Sequence, residues 1–546
     1  MDRRTFLQNA ALGGAGLAGG LGVGRPHSEG AASRNSQARP NIVVILADDM
    51  GFSDIGCYGS EIETPHIDRL AGEGARVTQF YNAARCCPTR ASLLTGLYPH
   101  QAGVGHMRAD LGRPAYRGHL NDRCVTIAEV LRARGYHTAM VGKWHLGQAH
   151  DQWPLAKGFD RYTGLLDGAS HYFDPPPSRA LVRDNEPFAP KSVDYYESRD
   201  HLRPDFYMTD FFSDWAKRYV EEAAQREDPF FLYLAYTAPH WPLHAPRETV
   251  DKYQGQFMKG WDRLREARYR RLAEAGLIDE RWALPPRDEH VPAWSSVENK
   301  ERWDLKMAAY AAQMEHLDRG VGRVLDALDR RGLAKNTLVL FLSDNGAAST
   351  GLGRGDEARP GSPESYMSYH RPWANVSDTP FRRYKVWTHE GGIATPLLAR
   401  WPGRIPAGTI SHASGHVMDV MPTCIEAAGA DYPAQFDGRA IAPVEGNSLL
   451  PALRGGTRGG RRTFFWSHTN NHAVRRGRWK LVSRSGTEQW QLYDMAADRT
   501  ETMDRAAERP ALVRELAEQH AAWRERVGVL PWKQYRQLRN AQDASR

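Results

Sequence analysis

The stretch Cys86-Cys87-Pro88-Thr89-Arg90-Ala91-Ser92-Leu93-Leu94-Thr95-Gly96 concentrates residues that can do chemistry. It follows an apolar-aromatic run (Val77, Phe80, Tyr81), and residues 89–97 read as helix. Pro88 is tolerated in a first helical turn, where its missing N–H would have no partner. Cys86 then falls at a strand-to-helix turn, near the positive end of the helix dipole and four residues before Arg90. That environment suits a group that handles an anion. An isolated cysteine beside a helix start would otherwise read as a small buried hydrophobe.

Four other apolar runs stop in residues of the same kind. Asn41–Ala47 is continuously apolar after its first residue, as in a strand buried on both faces, and it stops at Asp48-Asp49. Residues 136–141 lead to Lys143 and His145, 230–235 to His240, and 337–342 to Asp344-Asn345. In an open α/β sheet the carboxyl ends of the strands border one crevice. Asp48, Asp49, Cys86, Arg90, Lys143, His145, His240, Asp344 and Asn345 are therefore expected to converge. Asp48, Asp49, Asp344 and Asn345 offer only oxygen ligands, which suits Ca2+ or Mg2+ and not zinc. Taken singly, each has a plainer reading. Asp48-Asp49 is a cap, Asn345-Gly346 a hairpin turn, and His240 a packed loop histidine. The residues after Gly346 (Ala347, Ala348, Ser349, Thr350) do not alternate as a returning strand should.

The joint set resembles the type I sulfatases. Cys86, Pro88 and Arg90, with Thr95-Gly96 following, are similar to that family's signature. From Cys87 the proline and arginine do not fall two and four residues on. Thr89 stands where the family more often has Ser or Ala. The family also shares the Asp-Asp pair, the later Asp-Asn, Gly-Lys-x-His-Leu-Gly (142–147) and Pro-His-x-Pro (239–242). It shares a lysine matched by Lys385, just before Glu390-Gly-Gly-Ile393. Alone, Lys385 would read as a solvated surface charge. The resemblance runs from Asn41 to the C-terminus.

The resemblance implies an alkaline-phosphatase-like α/β fold, with a mixed, mostly parallel sheet flanked by helices. It implies that a maturation enzyme oxidises Cys86 to formylglycine. It implies one calcium ion held by Asp48, Asp49, residue 86, Asp344 and Asn345. In that scheme the hydrated aldehyde attacks sulfur, and Arg90, Lys143 and Lys385 stabilise charge on the sulfuryl oxygens. His240 and Lys385 protonate the leaving oxygen, and His145 helps to expel sulfate. The expected reaction is hydrolysis of an aryl sulfate or sulfated carbohydrate to an alcohol and sulfate. The alternatives are a phosphonate or phosphate ester hydrolase of the same superfamily, and a catalytically dead protein that binds sulfated glycans.

Composition sets the frame. The chain has 546 residues, enough for two domains, with 41% hydrophobic and 25% charged residues as in a globular protein. Its formal charge is +7, with scattered basic residues and no nucleic-acid-binding motif. Steering of an anionic substrate accounts for that excess, and no nucleic-acid partner is expected. Cys57, Cys86, Cys87, Cys124 and Cys424 form no disulfide framework and no CxxC pair. Arg3-Arg4, Phe6-Leu7 and a Gly/Ala-rich run to about Gly24 resemble a twin-arginine export signal, followed by a polar linker to Pro40. That implies a periplasmic or secreted protein with no stable membrane span once the signal is removed.

The rest is organised around these strands. Helices are expected over 65–75, over 126–134 from the capping box Thr126-x-x-Glu129, and over 304–331. The catalytic part is expected to span 41–440. Residues 441–546 are expected to form a smaller subdomain with strands at 464–468, 473–483 and 489–493 and a helix at 511–527. The long segments 151–204 and 245–301 are expected to line the substrate site. Asp167, His171, His201, His244 and His389 are candidate substrate contacts.

Overall fold

The apolar run at the start of the folded chain forms β1 (Asn41–Ala47), buried along its whole length. This computed structural model describes residues 39–544, apart from 189–205, 355–356, 457–461, 484–486 and 488. The expected export signal, with Arg3-Arg4, lies outside the described residues. The next strands are β2 (Ala75–Tyr81), β3 (His137–Lys143), β4 (Arg161–Leu165), β5 (Leu181–Arg183), β6 (Glu186–Phe188), β7 (Phe230–Ala235) and β8 (Thr337–Ser343). A short ribbon, β9 (Gly353–Arg354) and β10 (Tyr366–Met367), precedes β11 (Ala394–Arg400) and β12 (Thr409–His416). A second ribbon pairs β13 (Gln435–Phe436) with β14 (Arg439–Ala440).

The large sheet has ten strands in the order β12-β2-β11-β8-β1-β7-β3-β4-β5-β6. β1 is parallel to both neighbours, with Ile42 opposite Phe231 on one side and Leu338 on the other. β3 and β4 continue the parallel run. β11 is antiparallel to both β8 and β2, so β2 and its parallel neighbour β12 point the same way as the centre. The sheet is thus mixed and mostly parallel, as expected.

Alternation along β1 feeds two cores, because successive side chains point to opposite faces. Val43 and Ile45 pack with Met314 and Leu317 of the long helix Lys300–Arg330 and with Phe211 and Trp215 of helix Met208–Ala223. Ile42, Val44 and Leu46 pack with Leu93, Leu131 and Met421 from helices on the other face. Covering both faces is what keeps a parallel sheet dry.

Boundaries differ from expectation where glycines intervene. The first helix stops at Gly72, and Ala75 already pairs in β2. A Cβ on Gly74 would lie 2.2 Å from the Ala399 carbonyl oxygen, so the chain passes β11 too closely for a side chain. The helix of the cysteine pair starts at Cys86, not at Thr89, and ends at Thr95. The capping box is present, with Thr126 and Glu129 bonding reciprocally. Segment 151–204 is not a plain insertion, since β4, β5 and β6 extend the large sheet. Segment 245–301 folds into helices Arg247–Tyr253 and Gly260–Glu274, with Trp261 fully buried.

The C-terminal sheet is antiparallel: β15 (Thr463–His468), β16 (Asn471–Arg476), β17 (Trp479–Ser483) and β18 (Trp490–Asp494). The single strand expected over 473–483 is two, because Gly477 takes φ +58° and turns the chain. Helix Pro510–Val527 follows as expected, and a further helix, Trp532–Ala544, was not anticipated. Among the described residues no helix is long and apolar enough to cross a membrane.

A buried ionic cluster ties this sheet to the large one. Glu390 accepts hydrogen bonds from Lys480 at 2.8 Å, Arg499 at 2.7 Å and the Tyr81 hydroxyl at 3.0 Å. Lys480 also lies 2.8 Å from Glu501, and none of the four charged side chains is exposed. Burial opposes the charge of Glu390, but Lys480, Arg499 and Arg475 outweigh it and hold its carboxyl at about 2. Lys480→Ala should leave two carboxylates facing each other without their shared cation. Breaking a buried pair in this way costs about 3–5 kcal/mol. A urea titration should show the midpoint falling accordingly, and a midpoint within error of wild type would refute the cluster's role.

Candidate active site

The carboxyl ends of β1, β3, β7 and β8 open on one crevice, and every residue expected to converge there does so. The centre is a buried group of carboxylates. Asp48, Asp49 and Asp344 are at most 2% exposed. Arg90 donates to Asp344 through Nε at 3.1 Å and Nη2 at 2.9 Å, and through Nη1 to the Lys143 carbonyl at 2.9 Å. Lys143 Nζ donates to Asp48 Oδ2 at 2.6 Å. Lys385 Nζ and Asn345 Nδ2 both donate to Asp49 Oδ1, at 2.5 and 2.7 Å. His240 Nε2 lies 3.5 Å from Asp49 Oδ2.

Charge follows from these partners. Burial, then the neighbouring Asp344 carboxylate, pushes Asp48 well up, and burial also raises Asp344. Burial acts the same way on Asp49, but the charge and hydrogen bond of Lys385, with the hydrogen bond from Asn345, hold Asp49 below its usual range. Lys385 is raised: burial opposes its charge, and Asp49, Cys86, Asp48 and Asp344 together outweigh it. Burial pulls both His145 and His240 down to about 3, so both rings are neutral. His240 Nδ1 is 2.6 Å from the Trp241 carbonyl oxygen. A carbonyl only accepts, so Nδ1 carries the proton and Nε2 faces the site as a lone pair.

Of the acceptors at this centre, three buried oxygens have no hydrogen-bond partner among the described residues: Asp48 Oδ1, Asp49 Oδ2 and Asn345 Oδ1. An unpaired buried acceptor costs about 1–3 kcal/mol. Oxygen-only donors with spare lone pairs fit a hard divalent cation. Asp48, Asp49 and His240 also place one ligand atom each within 4.8 Å of the others.

The two cysteines separate cleanly. Cys86 borders a cavity of about 860 Å3, whereas Cys87 does not. A hydrogen bond with Cys87, together with Lys143 and Lys385, holds Cys86 well below the ordinary thiol range, and burial raises Cys87. The local backbone is unusual: Asp49, Ala84, His145 and Val386 all have φ between +62° and +82°. A β-branched residue such as Val386 in that region is a true outlier, of the kind that clusters at functional sites. Val386 is fixed by its N–H bond to the Ala84 carbonyl at 2.8 Å, which sets Lys385 beside the cysteine segment. Asn345-Gly346 is no hairpin turn. A Cβ on Gly346 would lie 1.8 Å from the Gly391 carbonyl oxygen, so glycine is required for close packing.

His145, His240 and Lys385 also border the cavity, while Arg90 and Lys143 lie beneath it as partners of the carboxylates. Of the candidate substrate contacts, only Asp167 lines it. His171 and His244 bond instead to the carbonyls of Pro363 and Ser365, and His389 is buried away from the cavity. His201 lies outside the described residues. Segment 245–301 contributes no lining residue, because its helices pack on the far helical layer. The unanticipated wall is the terminal helix, with Trp532, Tyr535, Arg536 and Arg539. Tyr535 Oη lies 2.8 Å from His106 Nδ1 and anchors that helix. The Trp-x-x-Tyr-Arg spacing signals a helix in sequence, but not where it docks. A second cavity of about 950 Å3 lies near the opposite ends of the strands, by Glu73, Lys335 and Arg400. It borders none of the site residues.

The sulfatase family model matches residues 40–430. The chain belongs to the sulfatase family. A model described as N-sulphoglucosamine sulphohydrolase, C-terminal, matches residues 382–525. An uncharacterized sulfatase of Schizosaccharomyces pombe is 36% identical over 540 residues, covering 91% of this chain and 96% of that one. The arylsulfatase of Klebsiella aerogenes is 34% identical, covering 77% of this chain and 93% of its own. The solved structure of Ps i-CgsB in complex with k-i-k-neocarrahexaose superposes with a TM-score of 0.66 at 26% identity, covering 89% and 92% of the two chains. The sulfatase is thus a sulfuric ester hydrolase of the alkaline phosphatase superfamily. Since Cys86 alone of the pair reaches the cavity, Cys86→Ala should abolish sulfate release and Cys87→Ala should retain most of it. The reverse pattern in an ion-chromatography assay would overturn the assignment.

Proposed function

We propose that the enzyme hydrolyses sulfate esters with a formylglycine made from Cys86 and one calcium ion held by Asp48, Asp49, Asp344, Asn345 and residue 86. The observation that carries this reading is the position of Cys86 at the cavity wall beside buried carboxylates whose outer oxygens lack partners. When present, the aldehyde supplies an oxygen nucleophile on hydration, and the cation supplies positive charge near the sulfuryl oxygens.

The chain's own residues divide the remaining work. Arg90 fixes Asp344, and Lys143 neutralises Asp48. Lys385 presents an ammonium to the cavity and serves two ends, charge on the sulfuryl oxygens and a proton for the leaving oxygen. His240 has its N–H committed to Trp241, so of the two candidate donors Lys385 is the one that holds protons toward the site. His145 is neutral, with an unpartnered Nδ1, and accepts a proton from residue 86 in the step that releases sulfate. We assign a formylglycine-generating enzyme and the twin-arginine machinery as partners, which places the mature enzyme in the periplasm or outside the cell.

Protein made with the maturation enzyme should carry an aldehyde at residue 86 by peptide mass, bind one calcium per chain by elemental analysis, and release sulfate from aryl or sugar sulfates. Active protein with an intact Cys86 thiol, or with stoichiometric zinc and no calcium, would sink the reading.

The proton assignment has its own test. General acid catalysis contributes ~10² to 10⁴ in rate, and only for leaving groups that depart poorly unprotonated. Lys385→Ala should therefore slow alkyl or sugar sulfates far more than nitrophenyl sulfate, steepening the plot of log rate against leaving-group pKa. His240→Ala should shift that plot without changing its slope. The opposite pattern would return the proton to His240.

A further inference from the structure

We infer that this enzyme is built for substrates that carry a second anionic group besides the sulfate it cleaves. The subsite for that group lies on the wall made by the terminal helix Trp532–Ala544 and by Arg85 and Arg179. The inference rests on the sulfate-ester reading above and names its substrate class.

The wall of the 860 Å3 cavity holds Arg85, Arg108, Arg179, Arg536 and Arg539, with Lys385 at its base, against one carboxylate, Asp167. The whole chain is nearly balanced, with 72 Lys and Arg to 65 Asp and Glu, so this bias is local. Two of these arginines have carboxylate partners. Arg108 pairs with Asp167, and Arg539 lies 3.0 Å from Asp543. Arg85, Arg179 and Arg536 have no carboxylate partner among the described residues. They come from three separated parts of the chain, so one flexible tail does not account for them.

The sulfate to be cleaved does not need them. Its place is beside Cys86 and Lys385, above the buried partners Arg90 and Lys143. The remaining guanidinium groups border the outer cavity, where a second group on the same molecule would lie. Guanidinium forks suit carboxylate and sulfate oxygens alike, so the shared chemistry is a planar or tetrahedral oxyanion. Trp241, Trp387, Trp532 and Tyr535 border the same space, giving flat apolar faces for the ring that joins the two anions. The position of the helix is set, because Tyr535 is 6% exposed and meets the Tyr116 ring at 5.5 Å as well as His106.

Long-range steering is the competing account of the same charges. It would also favour a dianion but would fade with salt, whereas a subsite keeps its preference when the ratios below are measured at high ionic strength. The experiment compares three disaccharides that share one sulfate ester. One has no other charge, one has an added carboxylate, and one has an added second sulfate. The readout is the ratio of kcat/KM for each dianion to that for the monoanion. Wild type should favour at least one dianion by tenfold or more, and the arm that wins identifies the oxyanion. Arg536→Gln combined with Arg179→Gln should cut that ratio at least fivefold, mainly through KM, while Arg536→Lys, which keeps the charge and loses the fork, retains only part of it. A wild-type ratio below tenfold, or a variant ratio that falls less than fivefold, would overturn the subsite.

Calorimetric titration of full-length Cys86→Ala with the same disaccharides keeps the two readings apart. Tighter binding of a dianion, lost in the added Arg179 and Arg536 changes, with no turnover in the mature parent, would uphold the subsite and indict the sulfatase chemistry. Equal binding of all three would overturn the subsite whatever the turnover.

Discussion

The structure depends on keeping three carboxylates side by side out of water. Asp48, Asp49 and Asp344 would repel one another and push their own protonation up if nothing opposed it. Arg90, Lys143 and Lys385 oppose it from below and from the side, and none of these three cations is more than 10% exposed. Burying so much paired charge is weak as a source of stability. Its use is to fix oxygen atoms in place before a substrate arrives, and the positive φ of Asp49 shows that the backbone is bent to the same end.

The large sheet exists in a form that makes this affordable. Parallel strands covered on both faces give a rigid frame whose carboxyl ends all point one way. The buried Glu390 cluster then joins β17 and the loop at Arg499 to β2, the strand that leads into Cys86. The C-terminal sheet is therefore more than an appendage. Phe464 and Trp466 share an apolar cluster with Val43 of β1, and Trp466 Nε1 donates to the Asn82 carbonyl at 2.8 Å, four residues before the cysteine.

The central strands and the site were legible in sequence for one reason. A strand buried on both faces must be continuously apolar, so the polar residue that ends it is conspicuous. Asp48, Lys143, His240 and Asp344 all stand out in this way, and topology alone brings them together. Lys385 has no such strand before it. Only the resemblance pointed to it, and the structure shows it seated by a strained Val386 that no local pattern announces. The terminal helix was missed for a different reason. Its amphipathic residues would suit many surfaces, and its docking is decided by His106, more than four hundred positions away. The segment 245–301 erred in the other direction. Length and polarity suggested a loop at the mouth, but its tryptophans pack it against the far layer.

The helix that walls the cavity beside Cys86 lies far downstream of that cysteine, and this orders events in time. In the finished fold the thiol is 2% exposed, too deep for another protein to grip the residues around it. About 450 residues separate Cys86 from Trp532, and synthesis at ~5–20 residues per second takes roughly 20–90 s to cross them. Any enzyme that must handle that cysteine as an extended peptide has this interval, before residues 532–544 emerge and dock. The architecture thus works as a clock. If residue 86 is modified as proposed above, a chain that closes first is locked out of later repair unless it opens again, and the yield of active protein then follows a race between modification and folding.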